Sequence, residues 1–68
     1  MKAANYENSP RLQRVAQLLA DGKEYTTRAI IRLAHVCAVN SVISELRVAG
    51  FVVHCQQRGR RWYYRMER

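Results

Sequence analysis

Arginine is the residue of this 68-residue chain whose number and spacing most clearly predict chemistry. It supplies ten of the twelve basic side chains, and its guanidinium group binds phosphate through two parallel hydrogen bonds. Arg28 and Arg32 are four positions apart, while Arg58, Arg60 and Arg61 crowd into one short stretch. Like charges at helical spacing repel each other, so an anion between them would be stabilising, although a solvated pair is the commoner explanation. Phosphate binding is therefore the first hypothesis.

The overall charge favours the same chemistry. Twelve basic against five acidic residues give a net charge of +7 and an isoelectric point near 10.3, which indicates a polyanionic partner such as nucleic acid. The apolar fraction of 49% is that of a globular chain, and a chain this short forms one small domain with a thin margin of stability. No apolar run is long enough to span a membrane, so we expect a cytoplasmic protein. Its two cysteines should be reduced thiols.

Four residues could in principle bind a metal ion, namely His35, Cys37, His54 and Cys55, but their pattern argues against it. Their spacing matches no zinc motif, and neighbours on a strand, such as His54 and Cys55, point to opposite faces. None of the five acidic residues forms a plausible catalytic pair, and the chain lacks a glycine-rich phosphate loop. We therefore expect no enzymatic activity, no cofactor and no small-molecule substrate.

Helical signals begin after a patternless stretch, residues 1–8, which we expect to form a flexible arm. Ser9 is suited to cap a first helix that begins at Pro10. A second helix is capped by Thr26 or Thr27, and residues 23–25 before it suffice only for a linker or a minimal strand. The apolar residues expected to be buried are Leu12, Val15, Ala16 and Leu19 in the first helix and Ile30, Leu33 and Ala34 in the second.

The stretch 38–50 contains the third helix, around which the chain is organised. Its predicted buried stripe consists of Val39, Val42, Ile43 and Leu46, and the helix ends at Gly50. The opposite face is short, polar and uncharged. It carries Cys37, Asn40, Ser41, Ser44 and Val48, with Arg47 on its flank. Such a face can approach the major groove of DNA closely and offer donors and acceptors there, although it would equally suit simple exposure to solvent.

Beyond Gly50 the apolar period changes from 3.6 to 2, which predicts a β-hairpin. A turn at Arg58 and Gly59 would place Cys55 opposite Trp62, Val53 opposite Tyr64 and Phe51 opposite Met66. These six residues would then share one half-buried face, with Cys55 in the core. The other face and the tip would carry polar and basic residues, namely His54, Gln56, Arg58, Arg60, Arg61 and Arg65.

The order of two helices, a tight turn, a third helix and a two-stranded ribbon resembles a winged helix-turn-helix domain, in particular the short helix-turn-helix proteins of phages and prophages. The residues that carry the resemblance are ThrThrArgAlaIleIleArgLeuAla, HisVal before the third helix, and ValIleSerGluLeuArgValAlaGlyPhe. It covers residues 9–66 and implies an α+β fold of three helices followed by a two-stranded antiparallel wing. One departure is His35, which stands where the family usually has glycine, although histidine tolerates positive φ better than most residues.

The resemblance also implies roles for individual residues. The third helix would be the recognition helix, with Asn40 and Ser41 as the foremost base-contacting residues because asparagine pairs bidentately with adenine. Ser44 and Arg47 would come next. The backbone contacts would come from Thr27, Arg28 and Arg32, and the wing contacts from Arg58, Arg60 and Arg61.

We accordingly expect a sequence-specific double-stranded DNA-binding protein, a phage-type regulator of transcription. Weak homodimerisation on two half-sites is also expected, through the edge strand of the wing or the arm near Tyr6. Three alternatives stay open. The chain could be an excisionase-like architectural factor that bends DNA, or a winged-helix module that binds protein without binding DNA. It could also be a small RNA-binding domain, although its aromatic residues show no stacking pattern on a sheet.

Overall fold

A computed structural model of the chain describes residues 9–67, so the predicted arm of residues 1–8 lies outside the described residues. The described part is a small α+β domain of three helices and one antiparallel sheet, compatible with the predicted fold class. The helices are α1 (Pro10–Leu19), α2 (Thr27–Ala34) and α3 (Val39–Val48). The strands are β1 (Tyr25–Thr26), β2 (Val53–Arg58) and β3 (Arg61–Met66), in the sheet order β1-β3-β2.

The first helix forms as its sequence predicts. The Ser9 hydroxyl accepts a hydrogen bond from the Leu12 amide at 3.4 Å, and Pro10 occupies the first helical position, where a missing N–H costs nothing. The predicted stripe of four apolar residues is buried. The residues of α1 therefore supply one side of the domain core.

The second helix begins at the cap that Thr26 provides, because its hydroxyl accepts a hydrogen bond from the Ala29 amide at 3.1 Å. Ile30 and Ala34 are buried as predicted, but the prediction for Leu33 is wrong, since its side chain is 57% exposed. A two-turn helix touches its neighbours along a narrow line, here through Ile30 and Ala34. Leu33 lies beside that line, and no described element covers it.

A tight turn after α2 changes the direction of the chain by 84° before α3 begins. His35 adopts the left-handed conformation there, with φ 56° and ψ 50°, so histidine fulfils the role that glycine usually has. Arg14 of α1 fixes the turn, because its guanidinium donates to the carbonyls of Ala34 at 2.8 Å and His35 at 3.2 Å. These bonds set the angle at which α3 leaves the domain.

The third helix buries its predicted stripe of four apolar residues. It ends in a Schellman motif, in which the Gly50 amide donates to the Arg47 carbonyl at 3.1 Å and the Phe51 amide to the Leu46 carbonyl at 3.0 Å. Gly50 has φ 111°, a backbone conformation that residues other than glycine rarely adopt. Phe51 is half-buried against the core, and the prediction of this helix end is confirmed.

The sheet contains one strand more than the predicted ribbon. Tyr25 pairs with Tyr64 and Thr26 with Tyr63, so β3 is the central strand and β1 covers part of its outer edge. The short stretch before α2 is therefore a minimal strand, the second of the two predicted possibilities. It ties the start of α2 directly to the hairpin.

The predicted register of the hairpin is wrong by two residues. Val53 pairs with Met66, Cys55 with Tyr64 and Gln57 with Trp62. The reason is the turn, which consists of Gly59 and Arg60 rather than Arg58 and Gly59. Gly59 has φ 63° at the first central position, as a type II′ turn requires.

A shift of two residues keeps every side chain on its predicted face, but the depth of burial differs from the prediction. Val53, Tyr64 and Met66 are buried, whereas Cys55 is exposed and Trp62 is 42% exposed. The prediction that Cys55 belongs to the core is wrong. The helices cover only the half of the hairpin next to the body, and the outer half extends beyond them.

Within residues 9–67 no single helix is long and apolar enough to cross a membrane. The bent pair of α2 and α3 reaches such a length and composition only when the two are counted together.

Candidate nucleic-acid interface

Two adjoining grooves lie between the helices and the outer half of the hairpin. The first, of about 560 Å³, is called here the arginine groove and is lined by Thr26, Thr27, Arg28, Arg60, Arg61 and Trp62. The second, of about 590 Å³, is called the helix groove and is lined by Thr27, Cys37, Ala38, Val39, Asn40, Ser41, Cys55, Trp62 and Tyr64. Thr27 and Trp62 line both, so the two grooves form one continuous concave surface.

The arginine groove exists because β1 stops early. Its last residue, Thr26, pairs with Tyr63, so Trp62 and Arg61 at the start of β3 have no partner from β1. The chain turns into α2 at this point, which places Arg28 across the notch from Arg60 and Arg61. Residues about 30 positions apart in sequence are thus brought together by one short strand pairing.

The helix groove exists because α3 begins beside the hairpin. The first turn of α3 contributes Asn40 and Ser41, both exposed, and the outer half of the sheet contributes Cys55 and Trp62. Tyr64 is buried at the floor of the groove, and its hydroxyl donates to Oδ1 of Asn40 at 3.2 Å. Two base-contacting candidates therefore face a groove that is continuous with the arginines.

The carboxylates of the described residues are engaged away from both grooves. Glu45 forms an ion pair with Arg11 at 3.1 Å, and Glu67 lies 3.4 Å from His54. Glu24 pairs with Arg58. No acidic residue of the described part lines either groove, so the positive charge of the surface is not compensated there by residues 9–67.

Asp21, the fourth of these acids, is bound to Tyr25. The Tyr25 hydroxyl donates to Oδ2 of Asp21 at 2.6 Å, and the Lys23 amide donates to Oδ1 at 2.9 Å. The hydrogen bond raises the pKa of Tyr25 above its ordinary value, and burial and the charge of Asp21 act in the same direction. This cluster holds the segment that leads into β1.

The arginines fall into two groups according to their partners. Those that bind groups within residues 9–67 are Arg11, Arg14, Arg47 and Arg58. Those without an ion pair in that range are Arg28, Arg32, Arg60, Arg61 and Arg65. Three members of the second group line the arginine groove, namely Arg28, Arg60 and Arg61. The arginine groove is therefore lined by three arginines that form no ion pair within residues 9–67.

The three arginines of the predicted wing cluster differ in their partners. Arg58 pairs with Arg61 across the hairpin, so the two side chains leave the same face of the sheet. Arg58 binds Glu24, donates to Gln56 at 3.2 Å and lies 4.4 Å from the centre of the Tyr63 ring. All three arginines lie at the hairpin turn, where β2 ends at Arg58 and β3 begins at Arg61. Arg58 is thus bound to the segment before β1, whereas Arg60 and Arg61 have no ion pair among residues 9–67 and line the arginine groove.

Arg47 also has a partner within the fold. The Glu67 amide donates to the Val52 carbonyl at 2.8 Å, so the next carbonyl, that of Val53, faces the outer edge of β2. Arg47 donates to this carbonyl through Nε at 3.2 Å and Nη2 at 2.7 Å. Its guanidinium thus joins the end of α3 to the start of the hairpin and covers part of an open sheet edge.

The remaining predicted residues differ in their placement. Thr27 and Arg28 line the arginine groove, and Asn40 and Ser41 line the helix groove. Ser44 and Arg32 are exposed but line neither groove. The structure thus brings together four of the predicted residues of α2 and α3, with Arg60 and Arg61 opposite them.

Sequence reasoning missed the exposed Trp62, which lines both grooves, and the exposed thiol of Cys55. Cys37 is exposed, in keeping with its predicted place opposite the buried stripe of the third helix. The alternation of the strand assigned Trp62 to the apolar face correctly but contained no information on how far the helices cover that face. Among residues 9–67 no group of three or more potential metal ligands is present.

Comparisons of this chain with models of protein families, with curated proteins and with solved structures give no match.

Proposed function

We propose that this chain is a winged helix-turn-helix protein that binds double-stranded DNA at specific sites and regulates transcription by occupying them. The single observation that carries the proposal is the arginine groove, which is lined by three arginine residues without ion pairs in the described part and by no acid of residues 9–67. Phosphate is the ligand that matches such groups best, because each can form paired, charge-assisted hydrogen bonds.

A duplex suits this surface better than an isolated phosphate group does. The arginine groove continues into the helix groove, where Asn40 and Ser41 offer amide and hydroxyl groups at the start of α3. In the proposed complex α3 enters the major groove, and Arg28, Arg60 and Arg61 bind the flanking phosphates. Phosphate contacts fix the position of the protein, and base contacts supply the sequence preference.

Selection of sites from a randomised duplex library, followed by footprinting, tests the proposal. We expect an enriched site, which Asn40→Ala weakens by about 1–3 kcal/mol while leaving binding to random duplex nearly unchanged. Ser44→Ala is the matched control, because Ser44 is exposed on the same helix but lines neither groove. A protein that enriches no site, or that does not bind duplex at all, would contradict the proposal and favour a protein-binding module.

A second candidate, an architectural factor that bends DNA, is favoured by Trp62. Its indole is 42% exposed between the two grooves, where a bound duplex would meet it. Apolar side chains that enter between base steps bend DNA. A bend on the selected site that disappears in Trp62→Ala, measured from the mobility of circularly permuted fragments, would support this role. If the selected site is not bent, the architectural role is contradicted and the proposed regulation by occupancy of the site is favoured.

A further inference from the structure

The hydrogen bond between Tyr64 and Asn40 determines which atoms of Asn40 face a ligand. Tyr64 lies on the central strand, paired with Tyr25 on one side and Cys55 on the other, and its side chain is only 3% exposed. Its hydroxyl is therefore fixed by the sheet, while Asn40 is exposed in the first turn of α3. The phenol donates to Oδ1 of Asn40 at 3.2 Å, which turns the amide oxygen toward the sheet.

An asparagine held in this way presents a donor. The bidentate pairing with adenine that the residue type suggests needs both amide groups, since Oδ1 accepts from N6 and Nδ2 donates to N7. In this structure the oxygen is directed to the Tyr64 hydroxyl, and Nδ2 is the group left for a partner in the helix groove. A donor requires an acceptor on the facing base edge.

We infer that Tyr64 is a positioning residue that makes Asn40 prefer guanine or thymine to adenine or cytosine. In the major groove guanine presents the acceptors O6 and N7, and thymine presents the acceptor O4. Cytosine presents only an exocyclic amino donor at this edge. Adenine presents N7 beside its N6 amino donor, and an asparagine whose Oδ1 is held by Tyr64 cannot accept from N6, so adenine loses the second hydrogen bond that would favour it. This inference rests on the proposed binding of duplex DNA and names the bases that the same site would take.

Removal of one oxygen atom tests the inference. Tyr64→Phe keeps the buried ring but frees Oδ1 of Asn40, so the amide can rotate to pair with adenine. The matched control is Tyr63→Phe, which removes a hydroxyl from the neighbouring residue and keeps the ring against which Arg58 lies. Site selection from a randomised duplex library is carried out with the wild-type protein and both variants, and Asn40→Ala identifies the base position that depends on Asn40.

We expect the wild-type protein and Tyr63→Phe to prefer guanine or thymine about tenfold at that position. Tyr64→Phe should lose this preference and gain adenine. A wild-type preference for adenine or cytosine would overturn the inference, as would an unchanged preference in Tyr64→Phe. Failure of every variant to bind random duplex would instead refute the proposed function, so the two failures are distinguishable.

A second variant covers the case in which Tyr64→Phe does not fold, which thermal melting followed by circular dichroism would reveal. Asn40→Asp changes an exposed position and leaves the core intact, but the new carboxylate has only acceptors. The substitution should reverse the base preference toward adenine or cytosine while reducing the affinity for all duplexes by charge repulsion. An Asn40→Asp variant that keeps the preference for guanine or thymine would overturn the inference.

Discussion

At the scale of single residues, the fold assigns different tasks to side chains of one type. Arg47 and Arg14 donate to backbone carbonyls, and Arg58 pairs with Glu24, whereas Arg60 and Arg61 keep their donors unused within the described residues. Sequence reasoning identified arginine as the important residue type but could not separate these groups. Their partners come from distant parts of the chain, and only the packed structure brings them together.

Arg47 provides the first prediction at this scale. Arg47→Ala removes two hydrogen bonds to the Val53 carbonyl, so the free energy of unfolding should fall by about 1–2 kcal/mol. Urea denaturation measures this loss, and Arg32→Ala, whose side chain has no ion pair in the described part, should change stability little. An unchanged stability combined with a lost base preference would contradict this structural role and favour the predicted base contact of Arg47.

Tyr25 provides a prediction about pH. Its pKa in the folded protein is raised, chiefly by the hydrogen bond to Asp21, above the value of about 10 in the unfolded chain. The neutral phenol is therefore favoured by folding, so its contribution is complete below about pH 10 and is lost as the pH rises through the folded-state pKa. Tyr25→Phe should lack this part of the alkaline loss. Identical denaturation profiles above about pH 10 for both proteins would contradict it.

At the scale of elements, helices were predictable and the hairpin only in part. Local sequence patterns predict the helix ends at Ser9 and Gly50 and the buried stripes of α1 and α3. They suffice because the hydrogen bonds that form and end a helix join residues only a few positions apart. The hairpin register depends on the position that Gly59 takes in the turn. Its left-handed φ suits the first of the two turn residues, which makes Arg60 the second. The extra pairing of β1 depends on a contact between positions 25 and 64, which no local pattern reveals.

The turn between α2 and α3 gives a prediction for an element. The backbone of His35 adopts the left-handed conformation, and this conformation costs a residue with a side chain about 1–2 kcal/mol of stability relative to glycine. His35→Gly should raise stability by about 1 kcal/mol, or the melting temperature by about 4–8 °C for a domain of this size. The Arg14 bond to the backbone carbonyl of residue 35 is retained in the variant.

A matched control uses the end of α3. Ala49→Gly introduces glycine at a cap with φ −74°, where no strain exists, so it should lower stability by about 0.5–1 kcal/mol. A lower melting temperature for His35→Gly than for the wild-type protein would show that the histidine side chain stabilises the turn by contacts of its own.

At the scale of the whole molecule, the effect of the net charge of +7 on binding depends on where the basic side chains lie on the surface. The four acids of residues 9–67 bind partners outside the two grooves, whereas three arginines without an ion pair in that range line the arginine groove. Such a surface releases counterions when it binds a duplex, and the number of phosphate contacts is reflected in the salt dependence of the affinity.

The salt dependence of binding to random duplex DNA is the most direct test of the central claim. A groove variant carries Arg28→Ala, Arg60→Ala and Arg61→Ala, and a control variant loses the same charge at positions that line neither groove, through Arg11→Ala, Arg58→Ala and Arg65→Ala. The slope of log K against log salt should shrink by about 0.9 for each lost phosphate contact in the groove variant and change little in the control. Equal changes in the two variants, or an unchanged slope in the groove variant, would contradict the assignment of the arginine groove to the DNA backbone.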